Sequence, residues 1–433
     1  MNAGIHLFVS TQAEKLRHTL VGQLLDAGMV RTPRVEAAMR AVPRHVFLPG
    51  VPLRQCYAND VTATKHDSDG VPISAASQPS IVGLMLEQLD VRPGMQILEI
   101  GAGTGYNAAL LSRLTWPGGQ VVTVDVDDDI VAGATAALAV AGAENVTVLK
   151  GDGAFGAPGF AVFDRIIATV GIWDLPPAWT DQLARDGLIV APLRLRGGVT
   201  RSVALAREGA GEGETPADRV ILRSRSSVMC GFMPLRDSVA SDPRRAIALT
   251  SPASVSLEVQ QDQDADPARL AGVLDTAGVT VRTGVGYDSA AATEAMYLWL
   301  TCSLPGGLYG MRVSRDAADS GIAAPMFRWG TMAAVAGDSL AYLSSGPSGT
   351  ETAAGDDPAE LQVVGHGPGG AGLAEAVAEQ IRVWFRDYRA LTPEFTITPF
   401  AGPPPSPAPP APGTSVILTP HNLITVRWLP RAL

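Results

Sequence analysis

The stretch LEIGAGTGYNAA, residues 98–109, decides the fold of this chain. An apolar run ends at Glu99, and a helical pattern begins after a short turn. The turn contains three glycines, Gly101, Gly103 and Gly105. A strand, a glycine turn and a helix form a cradle for nucleotides, because N–H groups at the helix start face the ligand and the missing side chains let it approach. Since glycine turns also occur as plain connectors, other segments of the chain must support this interpretation.

The next two predicted strands also lead into acidic residues. Asp125 ends the strand QVVTVD, and the triplet Gly151-Asp152-Gly153 follows the third strand. Strands and helices alternate through this part of the chain, which predicts a doubly wound parallel sheet. Right-handed crossovers place the ends of the first three strands at one edge, so we expect Glu99, Asp125 and Asp152 to meet along one ligand. An acid at the end of the second strand commonly holds the hydroxyl pair of a ribose.

Composition and charge narrow the possible functions. The 433 residues are 46% hydrophobic and carry a net charge of −10, which suits a large core and disfavours binding to a nucleic-acid backbone. Three scattered cysteines and six scattered histidines match neither a disulfide framework nor a metal-ligand spacing, so we expect no metal site. No basic leader and no run of about 18 apolar residues occurs, which predicts a cytoplasmic protein without a membrane span.

Ser77 lies just before the helix that leads into the glycine turn. Residues 10–28 and 32–42 predict two helices, and residues 50–76 read as a loop. The sequence Ser-Gln-Pro-Ser then introduces an apolar helix over 81–91. Ser77 is therefore either a functional hydroxyl close to the turn or a simple N-cap of this helix.

The chain divides into two predicted domains. Residues 1–240 contain the glycine turn and the alternating strands. Residues 241–433 contain strand-like and helical segments that predict an α+β domain, interrupted by a proline-rich spacer at 402–413. The boundary is expected near 238–245.

The glycine turn and the acids that follow it resemble the class I S-adenosylmethionine methyltransferases. Nicotinamide and flavin enzymes use G-x-G-x-x-G, whereas Tyr106 occupies the position of that third glycine here. The resemblance implies a doubly wound, mostly parallel sheet and S-adenosylmethionine as the cofactor.

Six spaced motifs are similar to those of the protein-L-isoaspartate O-methyltransferases, in the same order. They cover about residues 10–237, where VMCGFMPLR (228–236) resembles the family's last core strand. The motifs are VPRHVFLPG (42–50), ASQPSIVGLMLEQL (76–89), LEIGAGTGYNAAL (98–110), NVTVLKGDGAFG (145–156), FDRIIATVG (163–171) and PPAWTDQLARDGLIVAPL (176–193).

This resemblance implies roles for individual residues. The glycines of the turn would line the methionine part of the donor, and Asp125 would hold its ribose. Asp152 and Gly153 would meet the adenine, and Ser77 would be the active-site hydroxyl that orients the acceptor carboxylate. The implied donor-binding residues are Glu99, Gly101, Gly103, Gly105, Asp125, Asp152 and Gly153.

Two segments depart from the family pattern. Ala75-Ala76 replaces a Thr/Ser-Ile pair before Ser77, and residues 170–174 replace an alanine-rich segment. We therefore expect a conserved donor site and a reshaped acceptor pocket. The long C-terminal extension resembles that of variants in actinobacterial ribosomal-peptide pathways, which methylate an aspartate of a lanthipeptide or graspetide precursor.

Three functions follow from these patterns. The first is carboxyl methylation of an aspartyl side chain in a dedicated peptide, with the ester proceeding to an aspartimide. The second is general repair of isoaspartyl damage in proteins, and the third is a non-catalytic module that binds the donor and a partner. A carboxylate with a pKa of about 4 is ionised at neutral pH, so methyl transfer needs positioning and desolvation rather than a general base. The expected partner is a peptide or protein bearing Asp or isoaspartate, and the oligomeric state is left open.

Overall fold

Two large β-sheets and a two-stranded hairpin organise the part of the chain that the structure, a computed structural model, describes. The described residues are 2–208, 220–236, 244–260, 262–286, 290–328, 330–347, 359–403, 405 and 413–430. The α-helices are α1 (Asn2–Asp26), α2 (Pro33–Ala41), α3 (Leu53–Cys56), α4 (Pro79–Leu89), α5 (Tyr106–Thr115), α6 (Asp128–Val140), α7 (Pro177–Asp181), α8 (Pro267–Leu270), α9 (Ala290–Ser303), α10 (Arg315–Asp319) and α11 (Gly370–Val383).

The strands fall into one run before residue 230 and another after residue 244. The first run is β1 (Thr62–His66), β2 (Pro72–Ala76), β3 (Gln96–Ile100), β4 (Gln120–Asp125), β5 (Val146–Lys150), β6 (Phe163–Ala168), β7 (Leu183–Arg194), β8 (Thr200–Arg207) and β9 (Leu222–Met229). The second run is β10 (Arg245–Ala248), β11 (Val255–Val259), β12 (Val279–Gly286), β13 (Tyr309–Val313), β14 (Gly330–Ala336), β15 (Ser339–Pro347), β16 (Ala359–His366), β17 (Thr392–Pro399), β18 (Thr414–Leu418) and β19 (Asn422–Leu429).

The first large sheet has ten strands in the order β18-β19-β17-β9-β8-β7-β6-β3-β4-β5. Strands β7, β6, β3, β4 and β5 are parallel, and the strands from β8 onward in the other direction are antiparallel. Leu98 lies opposite both Val122 and Ile166 at the centre. Helices cover both faces of a parallel sheet, which is why β3 and its neighbours are short segments rich in Ile, Leu and Val. The predicted class I methyltransferase fold is confirmed.

The segment predicted as a loop over 50–76 contains a β-hairpin, so that part of the prediction is wrong. Strands β1 and β2 pair antiparallel around a turn. The Asp67 side chain accepts hydrogen bonds from the N–H groups of Asp69 and Val71, at 2.9 and 2.8 Å. The strands are only five residues long and rich in polar and small residues, so they have no apolar period that would reveal them. Helix α1 also begins earlier than predicted, at Asn2 rather than near Ser10.

The C-terminal part of the chain belongs to both sheets. Residues 245–366 form a seven-stranded antiparallel sheet in the order β10-β11-β13-β14-β15-β16-β12. After α11, the chain returns to the first sheet, where Ile397 of β17 pairs with Leu222 of β9. The predicted domain 241–433 is thus divided between two sheets. This division could not be predicted, because sequence patterns do not show which sheet edge a strand joins. Most of the spacer 402–413 and most of the predicted boundary 238–245 lie outside the described residues.

One hydrophobic cluster joins the two sheets. It includes Leu222 and Ile397 of the first sheet, Leu343 of the second, and Trp299 of α9. The Trp299 ring stacks on Tyr388 with centroids 4.0 Å apart. Removing the C-terminal part would therefore expose core residues of the first sheet. Within the described residues, no helix is both long and apolar enough to span a bilayer.

Candidate active site

A cavity of about 760 Å³ lies at the carboxyl ends of β3, β4 and β6. Its wall is built from the glycine turn, the segment leading to Ser77, the segment that follows β9, and one residue of α9. The predicted residues found in this wall are Ser77, Glu99, Gly101, Gly103, Asp125 and Gly153. The carboxyl edge of parallel strands, where polar loop ends converge, is the usual ligand site of an open α/β sheet.

The glycine turn is held close against neighbouring strands. Gly101 has a φ of +93°, and a Cβ there would lie 2.8 Å from Oγ1 of Thr169. The Thr169 hydroxyl donates to the Gly101 carbonyl at 2.6 Å. At Gly103 the nearest atom to an added Cβ would be the Ala75 carbonyl oxygen, 3.9 Å away. A side chain at Gly103 would therefore enter free space beside the turn, so the turn fits a ligand such as the methyl donor.

Asp125 is oriented by backbone N–H groups at the end of β4. One carboxylate oxygen accepts from Gly103 N and the other from Val126 N, both at 2.9 Å. The oxygen bonded to Val126 N, Oδ1, also accepts from Asp127 N at 3.4 Å. Since each carboxylate oxygen has about two lone-pair sites, the remaining capacity lies on Oδ2, which accepts from Gly103 N alone. The residue is half-buried in the cavity wall, where Oδ2 can accept from a ligand hydroxyl.

Glu99 forms part of the cavity wall, but its hydrogen bonds are made within the protein. Its carboxylate accepts from Asn107 Nδ2 at 2.8 Å and from Thr123 Oγ1 at 2.6 Å. Complete burial raises the pKa of this carboxyl to about 7, although both hydrogen bonds act in the opposite direction. Glu99 therefore joins β3 to β4 and α5 beneath the turn, and its complete burial withholds its remaining lone pairs from a ligand.

Gly105 and Asp152 are absent from the cavity wall. Gly105 has a φ of +84°, and a Cβ there would lie 3.3 Å from Leu138 of α6. The Asp152 side chain accepts from Ala154 N at 2.9 Å and caps the turn that follows β5. Gly105 thus serves helix packing, and Asp152 orients the turn that brings Gly153 to the cavity.

Ser77 lies half-buried in the cavity wall between β2 and α4. The N-cap of α4 is Gln78, whose side chain makes no capping bond, so the N-cap interpretation of Ser77 is wrong. Asn59 Oδ1 instead accepts from Ser80 N in the first turn, at 2.9 Å. The Ser77 hydroxyl makes no hydrogen bond to any residue that the structure describes, which leaves it available to a ligand.

The segment 229–236 forms a wall that sequence analysis did not assign to the site. It is held to the strand end after β6, since Gly171 N donates to Met233 O at 2.7 Å and Leu235 N donates to Gly171 O at 2.8 Å. In the sequence, the only signal for this segment was the similarity of residues 228–236 to the family's last core strand. Hydrogen bonds between segments so far apart along the chain have no local signal.

Asp127 connects this segment to the hairpin. Its Oδ2 lies 2.6 Å from Arg236 Nη2 and 2.9 Å from Lys65 Nζ. Burial acts against the charged form, but the two cations outweigh it and lower the pKa of Asp127. The carboxylate therefore joins the hairpin to the segment 229–236 at the edge of the cavity. No group of three potential metal-binding side chains occurs within the described ranges.

Comparison with known proteins identifies the family. The sequence profile described as protein-L-isoaspartate(D-aspartate) O-methyltransferase matches residues 14–216. The protein-L-isoaspartate O-methyltransferase of Methanoregula boonei is 42% identical over 193 residues, which are 45% of this chain and 84% of that protein. The chain belongs to the protein-L-isoaspartate O-methyltransferase family. A second member, protein-L-isoaspartate O-methyltransferase 1 of Rhodopseudomonas palustris, is 36% identical over 236 residues, 53% of this chain and 88% of that protein.

This isoaspartyl methyltransferase is an S-adenosylmethionine-dependent enzyme, as its sequence predicted. A solved structure of a protein-L-isoaspartate O-methyltransferase covers 88% of this chain and 96% of its own, with 20% identity and a TM-score of 0.45. The family profile ends before β9 begins. The segment after β9 and the residue of α9 in the cavity wall therefore lie beyond the residues that this profile matches.

Proposed function

We propose that this methyltransferase esterifies the side-chain carboxylate of an aspartyl residue in a ribosomally made peptide, and that residues 241–433 select the peptide. One observation carries the proposal: Glu294 of α9 lies in the wall of the same cavity as Ser77 and the glycine turn. An acceptor that enters this cavity meets the C-terminal part of the chain. A selective peptide enzyme needs such a contact, whereas a broad repair enzyme does not.

The donor occupies the side of the cavity formed by the strand ends. Gly101 and Gly103 follow its methionine part, and Asp125 accepts from its ribose hydroxyls. Gly153 contacts the adenine, with Asp152 holding the turn beneath it. When bound, S-adenosylmethionine supplies an electrophilic methyl group on a sulfonium.

The acceptor carboxylate lies between Ser77 and the donor. The Ser77 hydroxyl donates to one carboxylate oxygen and aims the other at the methyl carbon. An O–C bond forms as the S–C bond breaks, and no proton has to be removed, because the carboxylate is already ionised. Apolar residues in the wall, including Ile73, Met85 and Met229, exclude water from the nucleophile.

The ester is activated toward the next step. The backbone nitrogen of the following residue attacks the ester carbonyl, an N–C bond forms, and methanol leaves with the amide proton. The product is an aspartimide, which water opens to aspartate or isoaspartate. A glycine after the target residue offers the least steric resistance to this attack.

General repair of isoaspartyl residues is the second candidate. It is favoured by the 42% identity to a protein-L-isoaspartate O-methyltransferase over most of that protein's length. The family match stops before the C-terminal strands, so it tests the catalytic part of the chain alone.

Two peptide libraries separate the candidates. Both surround one target residue with randomised positions, with Asp-Gly in one library and isoaspartyl-Gly in the other. The full chain is required, because β17–β19 belong to the catalytic sheet. We expect methylated Asp-Gly peptides that share a flanking pattern, detected by mass spectrometry. Uniform methylation of the isoaspartyl library with an untouched Asp-Gly library would establish repair, and no transfer to either library would indicate a binding module.

A further inference from the structure

Glu294 brings a negative charge from the C-terminal part into the cavity. All other lining residues that the structure describes lie between Val61 and Arg236. Glu294 is thus the lining residue that the C-terminal part contributes. Further along α9, Leu298 and Leu300 are fully buried in the cluster that joins the two sheets. The helix therefore holds the Glu294 carboxylate at a defined place in the wall.

This carboxylate has no direct bonding partner in the described parts of the chain. It makes no hydrogen bond and no ion pair there, although it is only half-exposed. Burial raises the pKa of Glu294, and the positive charge of Arg201 opposes this effect. Arg201 itself donates from Nε and Nη2 to Ser227, at 3.2 and 3.0 Å. A partly desolvated carboxylate without a direct partner is stabilised when a cationic ligand arrives.

The other charged residues of the wall already have protein partners. Glu99 and Asp125 accept hydrogen bonds from neighbouring protein groups, and Arg236 is bound to Asp127. Glu294 is the charged lining residue that makes no hydrogen bond and no ion pair within the described residues. It would repel the carboxylate of an acceptor unless the acceptor also carries a positive charge nearby.

Met229 is a second residue of the wall that suits a peptide side chain. Arg201, whose charge acts on Glu294, pairs in register with Met229 of β9. Met229 is 39% exposed and lies in the cavity wall, so it offers an apolar surface for an alkyl chain. A lysine or arginine side chain combines such an alkyl stem with a cationic end.

We propose that Glu294 and Met229 form a subsite for a lysine or arginine side chain of the acceptor peptide, close to the target carboxylate. The subsite rests on the proposed function, since it needs a peptide acceptor. It explains how the C-terminal part selects among peptides: Met229 packs on the stem while Glu294 pairs with the cation. Peptides with acidic residues at the same position are excluded by repulsion.

The test uses the full chain and matched synthetic peptides. Each contains one Asp-Gly or isoaspartyl-Gly pair, with Lys, Gln or Glu placed in turn at each of the four nearest positions. We expect the wild-type protein to prefer Lys over Gln at one position by about tenfold in kcat/KM. Glu294→Gln should reduce this ratio to about one by raising KM for the Lys peptide, and Glu294→Lys should shift the preference to the Glu peptide.

Controls separate this subsite from other roles. Glu144→Gln removes the same charge at an exposed site outside the cavity wall, and it should leave every ratio unchanged. Dissociation constants for the same peptides are measured with S-adenosylhomocysteine present. If no peptide is methylated, the proposed function fails, while the Lys-to-Gln ratio of dissociation constants still decides the subsite.

Two results would overturn the subsite. One is a ratio that Glu294→Gln does not change, or no preference for Lys at any position. The other is a higher KM for S-adenosylmethionine with all peptides affected equally, which would assign Glu294 to the ammonium group of the donor.

Discussion

Asp174 and His421 lie 247 residues apart in the sequence, yet Oδ2 of the aspartate is 2.5 Å from Nδ1 of the histidine. The other oxygen of Asp174 accepts from Thr419 Oγ1 and Asn422 Nδ2, also at 2.5 Å. Asp174 is only 2% exposed. The segment 170–174, where the sequence departs from the family pattern, therefore anchors the turn between β18 and β19 to the catalytic sheet.

Replacing Asp174 should weaken this anchor. Asp174→Ala removes the buried acceptor that Thr419 and Asn422 share, and only their second bonds remain, from Thr419 Oγ1 to Asn422 O and from Asn422 Nδ2 to Leu175 O. This loss should lower the free energy of unfolding by about 3 kcal/mol. Asp174→Asn keeps one acceptor oxygen and should cost less. Chemical denaturation of the full chain measures both. Asp181→Ala removes an exposed carboxylate nearby and serves as the control, and equal losses for Asp174→Ala and Asp181→Ala would contradict the anchoring role.

Loss of the Asp127 carboxylate should loosen the edge of the cavity. Asp127→Asn breaks the ion pairs to Lys65 and Arg236, so the hairpin and the segment 229–236 lose their shared partner. We expect KM for the acceptor peptide to rise by up to about fivefold, the range of exposed ion pairs, with less change at high salt.

The control for this prediction is another exposed ion pair. Asp128→Asn breaks the pair with Lys150, which lies outside the cavity wall. It should leave KM unchanged. If Asp128→Asn and Asp127→Asn raise KM to the same extent, the effect comes from general surface charge rather than from the connection between the two segments.

Ser77→Ala should impair methyl transfer without unfolding the protein. The variant loses one hydrogen bond to a charged acceptor, which should lower kcat by about 10- to 100-fold. The Tm should stay near that of the wild type, because Ser77 neither caps α4 nor bonds to a described residue. Initial rates of methyl transfer measure the effect, with Ser68→Ala in the exposed hairpin turn as the control. Wild-type activity in Ser77→Ala would remove this residue from the mechanism.

The glycine-turn side of the cavity was predictable because its signals are local. A buried parallel strand reads as the mostly apolar segment Met95–Ile100, and the positive φ at Gly101 favours glycine there. Residue roles were less predictable, since a sequence pattern does not say which way a residue faces. Gly105 faces α6, and the Asp152 side chain bonds to its own turn.

The walls formed by the hairpin and by α9 were not predictable from local pattern. Strands β1 and β2 are five residues long and rich in polar and small residues, so no periodicity marks them. Glu294 reaches the cavity because tertiary packing places α9 there, and nothing in its neighbouring residues indicates this. Strand β17 likewise pairs with β9 because β9 offers an unpaired edge of the first sheet. A local stretch of sequence around β17 carries no information about that edge.

The buried carboxyl of Glu99 should make stability depend on pH. The pKa of Glu99 is about 7 in the folded protein and 4.5 in the unfolded chain, so the folded state favours the protonated carboxyl. The stability that this protonated form contributes is fully present below pH 4.5 and is lost as the pH rises through 7. Glu99→Gln cannot ionise and keeps one acceptor oxygen for Thr123 or Asn107. The unfolding free energy of the variant, relative to the wild type, should therefore increase between pH 5 and pH 8 by up to about 3 kcal/mol.

Urea denaturation at several pH values tests this dependence in the absence of donor. Glu144→Gln, at an exposed site, should show a constant difference from the wild type across the same range. A constant difference for Glu99→Gln as well would mean that Glu99 ionises equally in the folded and unfolded states. The expected slope instead follows from a carboxyl that accepts two hydrogen bonds yet has no cation beside it among the residues that the structure describes, so that burial dominates.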